Sequence, residues 1–580
     1  MSTTPTANTD PVAALAERFP LLFEDLQSVL NQTETRFSPT QDDHPASFAN
    51  GNLHFLLAVA TPRTVRQYIK QLPSNAKVVQ LFPDPDTLLY FLSKLGASKV
   101  VNNERWQPML MQPIDQSKHL QHWFAVEHPR QWPWALMQGG LPPYIAEIAN
   151  RFGGQLMPLL QHRVQALTQI LRTAYKDAPS ISEVLGVGER SPRILVLGAF
   201  GSAYQRFSAR DIHHGLSSCG VESELRILRD EPTNQFDLLT HILAFHPDAL
   251  IDLGKGRSAF GCLPEELGVI SWDQDHNLIS KEGVASRLGE RDHVMVMVKE
   301  WLADAKRAGV SDRQASHVNL GTNPEVFFPS TNDCETEFDV LFVGNTHRFE
   351  DYRRIINLDA MPQNVQAIML HARQRLDEWL ASRAADEPFV IPDCASFLTQ
   401  CSAEIGMSAA FDSPALQSLV YYFRYRIAHL LVRERFVRSL AGFRLGVFGH
   451  GWDRFDDLRD CVRPVIENGS ELRELIHRSA INIHLHTWTV HHPRLYDTAA
   501  AGGFLLVGRI QESYPLQQVF DEGSELDTFG SIPQLNDRIR YYLEHDQERE
   551  AMSLRASERA KRDHTMANRM DSILNRLKGT

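Results

Sequence analysis

Apolar residues recur along this chain in two rhythms, short unbroken runs and longer stretches with apolar positions three and four apart. The runs read as strands buried on both faces, and the spaced stretches as helices that cover them. After a polar tail over residues 1–10, Pro11–Leu30 carries Leu15, Phe19, Leu22, Leu26 and Leu30 at helical spacing, interrupted by Pro20. Thr33–Asn50 is polar and reads as a loop. Leu53–Ala60 and Lys77–Phe82 then read as strands, Thr64–Gln71 and Thr87–Leu95 as helices, and Lys99–Val101 as the start of a third strand. This alternation predicts a small α/β domain. Gln155–Tyr175, with Leu156, Leu159, Leu160, Val164, Leu167, Ile170 and Leu171 in register, predicts an amphipathic helix packed between domains. Asp177–Pro192, rich in Ser, Pro and Gly, reads as a linker.

A second series opens with Arg193-Ile-Leu-Val-Leu-Gly198-Ala-Phe-Gly201-Ser202, an apolar strand and glycine turn suited to the first strand of a doubly wound sheet. Ser208–Gly220 reads as the next helix, Ala249–Leu253, Val269–Trp272 and Asp292–Val298 as strands, Trp301–Ala308 as a helix, and His317–Leu320 as a final strand. A third series starts at Phe338–Val343, closed by Gly344-Asn345. Residues 352–440 are mostly helical in pattern and include Leu416–Leu440, a long helix with aromatic and basic faces. Leu445–Phe448 is a strand closed by Gly449-His-Gly451-Trp452. Glu471–Arg478 reads as a helix and Ile481–Leu485 as a strand. A helix over His492–Gly503 and a strand over Phe504–Val507 complete a nucleotide-binding type of domain.

Composition narrows the class. A chain of 580 residues has room for three or four domains. The apolar content of 43% and charged content of 22% are those of an ordinary soluble globular protein. A net charge of −12 without a Lys/Arg block excludes a generic nucleic-acid partner. Six scattered cysteines without a CxxC pair point to a reducing compartment and no zinc ribbon. The N-terminus lacks a basic leader, and no apolar run of about eighteen residues occurs, so the expectation is a cytoplasmic protein with no transmembrane segment.

The chemistry concentrates in His492-Pro-Arg-Leu-Tyr-Asp-Thr-Ala-Ala-Ala-Gly-Gly503. Arg494 and Asp497 share one helical face. A helix start with one cation and one carboxylate suits a sugar–phosphate ligand, the cation taking phosphate and the carboxylate taking hydroxyls. A surface ion pair on an ordinary αβ unit is the competing reading. Gly344-Asn345 and Gly449–Trp452 each end a strand, where backbone N–H groups can approach a ligand, with Arg348 near the first and the Trp452 ring near the second. Asp273, Asp275 and His276 follow the strand Val269–Trp272, and any of the three could act as a base. His484, His486, His491 and His492 invite a zinc site, but the same imidazoles equally suit donation to an anion. Gly198-x-x-Gly201, with Glu222 and Glu224 further on, is an incomplete dinucleotide fingerprint. Pro83-Asp84-Pro85-Asp86 follows a strand but has no glycine-rich loop before it, so it reads as a turn.

The run His492–Gly503, with Phe520-Asp-Glu-Gly-Ser, Leu535–Glu544, Arg549–Met566 and the closing His564-Thr565 and Arg569, resembles the donor-binding domain of CgeB-like bacterial glycosyltransferases. That family shows Arg-x-x-Glu, an Ala/Gly run, a Tyr-Tyr-Leu helix and a closing His-Thr…Arg. Gly321-Thr-Asn-Pro-Glu-Val-Phe-Phe-Pro329 resembles the segment leaving the N-terminal half of GT-B enzymes. The resemblance spans about residues 193–580 and is densest over 480–570. It implies an α/β chain of GT-B fold, two Rossmann-like domains facing across a cleft, plus an additional N-terminal α/β domain. The expected boundaries are 1–185 (accessory, acceptor recognition), 193–330 (acceptor side) and 335–580 (nucleotide-sugar donor side).

The implied activity moves a sugar from a nucleotide-diphosphate sugar to a hydroxyl, the acceptor being a flagellin-like bacterial protein or a surface polysaccharide. No metal and no cofactor are expected. The alternatives are a nucleotide-sugar epimerase and a non-catalytic scaffold. On this reading Arg494 neutralises diphosphate, Asp497 holds ribose or sugar hydroxyls, and Gly344, Asn345 and Gly503 admit the donor. Arg348, Gly449, Trp452, His486 and Tyr496 complete the donor set, and Gly201 and Ser202 border the acceptor. Two departures stand out. Asp497 replaces the usual Glu, one methylene shorter, and Thr489 stands where retaining enzymes often carry a second Glu.

Overall fold

The computed structural model describes parts of residues 46–110 and most of 161–579; 111–160, 200–201, 229–233, 277, 280–282, 331–334, 348–357, 383–390, 410, 412–415, 487–488 and 510–515 fall outside the described residues. All of the predicted helix at Pro11–Leu30 except Arg18, the turn Pro83–Asp86 and most of Thr87–Leu95 also lie outside them. The chain divides into two compact units. One holds residues 1–174 with 231–245 and 262–264, and the other holds the remainder.

In the first unit, strands β1 (Ala46–Asn50), β2 (Leu53–Leu57), β3 (Lys77–Phe82) and β4 (Trp106–Leu110) form one sheet in that order. β1 is antiparallel to β2, and the rest are parallel. Ala46–Asn50, expected as part of a loop, is a strand although its apolar content is thin. A hairpin partner two residues away supplies the pairing that its own composition does not. Ala97–Val101 is a helix, not a strand start, and the third parallel strand is β4. Val100 and Val101 are fully buried, and a short apolar run cannot by itself tell a helix from a strand.

The second unit contains two six-stranded parallel sheets. Strands β5 (Arg193–Ala199), β6 (Glu222–Leu228), β7 (Ala249–Asp252), β8 (Gly268–Asp273), β9 (His293–Val296) and β10 (Ala315–His317) assemble in the order β10-β9-β8-β7-β5-β6. Strands β11 (Phe338–Val343), β12 (Leu445–Phe448), β13 (Val462–Arg463), β14 (Ser479–His484), β15 (Leu505–Gly508) and β16 (Asp527–Phe529) assemble as β13-β12-β11-β14-β15-β16. Central strands such as β8 and β12 are buried at every position, which is why they read as unbroken apolar runs. β6 escaped the sequence reading because its residues are mostly half-exposed and polar.

Two Rossmann-like sheets in one chain, with a further N-terminal α/β sheet, make the GT-B architecture. The halves are knit together. The final helix, Met566–Lys578, returns from the second sheet to pack on helix Ala203–Ser218 of the first, where Gly215 leaves room for Met566. One hydrophobic core accordingly runs from Ile194 and Ile251 through Phe338 and Tyr496 to Met570 and Leu577. The other face of the second sheet is covered by helices Gln363–Ser382 and Cys394–Glu404 and the rod over residues 417–438.

The expected linker Asp177–Pro192 contains a helix, Ile181–Val187. Ser180 and Glu183 close a reciprocal capping box at its start, and Gly188 ends it in the left-handed conformation. Ser-x-x-Glu before an apolar pair was the signal, hidden among residues that otherwise favour loops. Ser208–Gly220 begins earlier than expected, at Ala203, with Ser202 as its N-cap accepting from Gln205 N. Leu416–Leu440 is one rod whose middle, Phe423–Ala428, is wound as a π-helix.

Candidate active site

In a parallel sheet whose strand order reverses, ligands bind beyond the carboxyl ends of the strands on either side of the reversal. In the second sheet that point lies between β11 and β14, so the loops after Val343 and after His484 should meet there. They do. A Cβ placed on Gly344 would come 3.3 Å from the Arg494 guanidinium, and Arg433 donates to the Asn345 carbonyl at 2.8 Å. Arg494 sits in the first turn of helix Pro493–Ala500, which Pro493 starts and His492 caps. Its guanidinium has no hydrogen bond or ion pair among the described residues. Burial draws it down to about 10, opposed by Asp497. A desolvated cation without a partner is costly unless something else arrives to neutralise it.

The surroundings add to the positive character. Arg433 is buried, and the rings of His429, His484, His486 and His492 lie against one another beside it. Arg433 and His429 were missed as site residues. The basic face of their helix was visible in sequence, but a π segment rotates one half of the rod against the other, so a reading at 3.6 residues per turn cannot say which basic residues turn inward.

Asp497 is 2% exposed, and its Oδ1 accepts from Thr322 Oγ1 at 2.8 Å. Thr322 lies in the segment that leads from the first sheet to the second. The shorter carboxylate is thus tied to that segment, with Oδ2 unbonded among the described residues. Burial drives its carboxyl well up, and Asp211 adds to the rise. Asp211, on helix Ala203–Ser218, is likewise raised by burial, to about 6, although it accepts from Asn323 Nδ2 at 3.1 Å. The folded chain therefore holds that proton to a higher pH than the unfolded one, and stability falls as pH rises from about 4 to about 6. Asp211→Asn keeps the acceptor for Asn323 and removes the charge. It should gain about 1 kcal/mol over wild type above pH 6 and nothing near pH 4, read from urea melts at both.

From the first sheet, three residues after β8 face different surroundings. Asp273 is fully buried, and its Oδ2 accepts from the backbone N–H groups of Leu278 and Ile279 at 2.9 and 3.0 Å. It staples its own loop, which corrects its candidacy as a base. His276 holds φ at +57°, unusual for a non-glycine residue, with Nε2 2.9 Å from Asp304 Oδ2 and its ring between Tyr421 and Trp301. Asp275 alone keeps an exposed surface while enough protein surrounds it to push its carboxyl up, Arg426 opposing and Asp273 adding. That combination describes the wall of a crevice. Its backbone carbonyl accepts from Tyr421 Oη at 2.8 Å, which fixes the loop against the 417–438 rod. The Tyr204 hydroxyl, bonded to Gln274 at 2.5 Å, feels both Asp275 and Asp497. The carboxyl ends of the two sheets converge there.

Other expected site residues have different work. Trp452 is fully buried, and its indole donates to the Gly344 carbonyl at 2.6 Å, so its ring offers no face to a ligand. Gly449, at φ +146°, lets its loop lie backbone to backbone on Gly344, where any Cβ would strike the Gly344 carbonyl. Tyr496 is fully buried with its hydroxyl 2.6 Å from His491 Nδ1, and Gly503 admits Ile476 and Asn482, not a donor. Ser202 caps a helix, while Gly201 and Arg348 lie outside the described residues. Glu222 opens β6 at its amino end, paired with Arg193 at 3.1 Å. A ribose-binding carboxylate belongs at the opposite end, so Glu222 is not placed to serve as one.

Among the described residues, the metal-ligand atoms that converge are those of His371, Cys401 and Glu404, not those of the four sequence-adjacent histidines. Arg375 already forks onto Glu404 there.

A family model described as glycosyl transferase-like matches residues 430–575, a span that holds Arg433, the β14 loop and Arg494. No curated protein matches the chain. Among solved structures, a sucrose-phosphate synthase from Thermosynechococcus elongatus is similar at 12% identity over 67% of this chain and 100% of that one, with a TM-score of 0.38. HepE from Anabaena, solved with UDP-glucose, is similar at 12% identity over 67% and 100%, also with a TM-score of 0.38. A DNA-modifying β-glucosyltransferase, solved in the presence and absence of uridine diphosphoglucose, is similar at 10% identity over 66% and 99%, again with a TM-score of 0.38. No helix among the described residues is long and apolar enough to cross a membrane.

Proposed function

We propose that the protein is a glycosyltransferase that moves a sugar from a nucleoside-diphosphate sugar to a hydroxyl acceptor. The observation that carries this is the convergence of a cationic crevice on one sheet with a cleft carboxylate on the other, both at carboxyl ends. Arg433 and Arg494 take the diphosphate, assisted by backbone at Gly344 and Asn345. Asp497, with one oxygen on Thr322, offers the other to a ribose or sugar hydroxyl. Asp275 accepts the acceptor's proton as the new C–O bond forms. The bond from the sugar to phosphate breaks, and the departing nucleoside diphosphate keeps its electrons under the two guanidiniums. Asp304 orients His276 beside Asp275, which makes His276 a positioning residue.

The C-terminal family match and the CgeB-like residues between 480 and 570 support the class. We assign residues 193–330 to the acceptor side, 335–580 to the donor side and 1–185 to acceptor recognition. The resemblance to GT-B enzymes implies a metal-independent reaction. A flagellin-like protein or a surface polysaccharide in the cytoplasm is the acceptor class we favour.

A thermal-shift panel of UDP, GDP, CMP, dTDP, ADP and NAD tests the reading. A ligand at one hundred times its Kd stabilises by about 2.7 kcal/mol, so one nucleoside diphosphate should raise the melting temperature visibly. NAD alone doing so would reverse the assignment. Turnover of the matching nucleotide sugar to an epimer without any acceptor would make the protein an epimerase.

A further inference from the structure

The turn that carries Asp275 is held in place from both halves of the molecule. His276 sits in the left-handed region at φ +57°, a conformation that residues with a side chain keep when their surroundings over-determine it. Two of those surroundings lie on helix Trp301–Arg307 of the first half. Asp304 Oδ2 is 2.9 Å from His276 Nε2, and the Trp301 ring meets the imidazole edge-on at 4.8 Å. The third, Tyr421, comes from the 417–438 rod of the second half. Its ring stacks on His276 at 5.4 Å with 20° between the planes, and its hydroxyl donates to the Asp275 carbonyl at 2.8 Å. That carbonyl belongs to the peptide plane between Asp275 and His276, whose tilt sets ψ of Asp275 and φ of His276. A hydrogen bond at that point therefore acts on the direction in which the Asp275 side chain leaves the chain. Burial pushes the Tyr421 hydroxyl up, so it stays protonated and remains a donor.

The same rod carries Arg433, whose guanidinium donates to the Asn345 carbonyl at 2.8 Å beside the phosphate crevice. Arg433 lies twelve positions after Tyr421. At 3.6 residues per turn that spacing would set the two side chains about 120° apart. The π segment Phe423–Ala428 between them changes the outcome. There the His429 N–H reaches back five residues, to the Arg424 carbonyl, so one turn takes an extra residue. Twelve positions then count as eleven, which make about three turns, and both side chains fall on one face, about 20° apart.

We propose that Tyr421 is a positioning residue for the transfer reaction: by holding the Asp275–His276 peptide from the donor side, it aims the Asp275 carboxylate at the acceptor hydroxyl. This rests on Asp275 being the base and adds the contact that makes its aim depend on the second half. One face of one rod then performs two tasks, Arg433 toward phosphate and Tyr421 toward the base, so the base is set against the element that grips the donor. Proton transfer needs hydrogen-bond reach, and a displacement of about 1 Å can lower a rate about a hundredfold.

A double-mutant cycle tests this, with turnover read as nucleoside diphosphate released from UDP-glucose, UDP-N-acetylglucosamine, GDP-mannose, dTDP-glucose or ADP-glucose, water being the acceptor. Tyr421→Phe keeps the ring on His276 and removes the hydroxyl. Tyr421 is half-buried, so the chain stays folded without that group, which a thermal melt checks. Its kcat should fall about tenfold to a hundredfold, with the donor KM within about twofold. In an Asp275→Asn background, which has lost the base but keeps the carbonyl, the same substitution should cost less than about twofold further. A residue that only stabilises the fold would lower kcat by the same factor in both backgrounds. That result, or an unchanged kcat in Tyr421→Phe, overturns the proposal, and a slow Asp275→Asn then leaves the base reading standing. An Asp275→Asn protein as fast as wild type removes the base reading and the positioning role with it. Release from none of the five by wild type overturns the functional reading as well.

Discussion

Arg494→Ala should weaken nucleotide-sugar binding by about 2–4 kcal/mol, roughly thirty- to eight-hundred-fold, and leave the melting temperature unchanged or higher. The two halves of that result come from one fact. The Arg494 guanidinium is half-buried, is drawn down to about 10 by desolvation with Asp497 opposing, and has no hydrogen bond or ion pair among the described residues. Its desolvation opposes folding, and the compensation comes from the ligand. A structural arginine would behave the other way, since its loss lowers stability and affects binding only through it. Arg494→Lys separates charge from geometry. A lysine restores the charge but not a two-pronged grip on phosphate, so affinity should recover only in part. Calorimetric titration and thermal melts on the same three proteins read both quantities.

Asp275→Asn should lower turnover by about 10²–10⁴-fold while nucleotide-sugar affinity stays within about twofold. Asn is close in shape and cannot take a proton. Asp273→Asn, two residues away, should fail differently. Its carboxylate holds the Leu278 and Ile279 N–H groups, so the loss falls on stability, about 2–4 kcal/mol, before it falls on chemistry. The pH profile adds an independent readout. A base works when ionised, so the rate should rise with pH through the Asp275 pKa, which burial places above the usual aspartate value. Arg426 opposes that rise. Arg426→Gln should therefore move the acidic limb to higher pH without altering its slope. A limb that stays in place while Asp275→Asn is inactive would assign the base elsewhere.

The architecture was legible where burial forces an unbroken apolar run. β5, β8, β11, β12 and β15 announce themselves this way, and the glycine turns after β11 and β12 mark their carboxyl ends. Five strands escaped, β1, β4, β6, β13 and β16; of these, β1 and β6 draw their stability from partners and not from their own composition. The site was legible in its outline, because Arg494 follows a histidine cap and a proline that can only start a helix. Its detail was not. Trp452 and Gly449 looked available to a ligand because sequence shows a glycine turn but not what the turn packs on, here the Gly344 carbonyl. Asp273, Asp275 and His276 are consecutive or nearly so and equivalent as chemistry. Only the direction of each side chain, into backbone, into crevice or onto Asp304, separates them. Asp211, Arg433 and His429 come from helices far from the motif in sequence, and no local pattern connects them to it.

A structure determined with a bound nucleotide sugar tests the central claim most directly. The account predicts the diphosphate at the β11–β14 reversal, within hydrogen-bond reach of Arg433 and Arg494, with the sugar directed toward Asp275. A diphosphate on the loop after β5, or one that leaves both guanidiniums uncontacted, would contradict it.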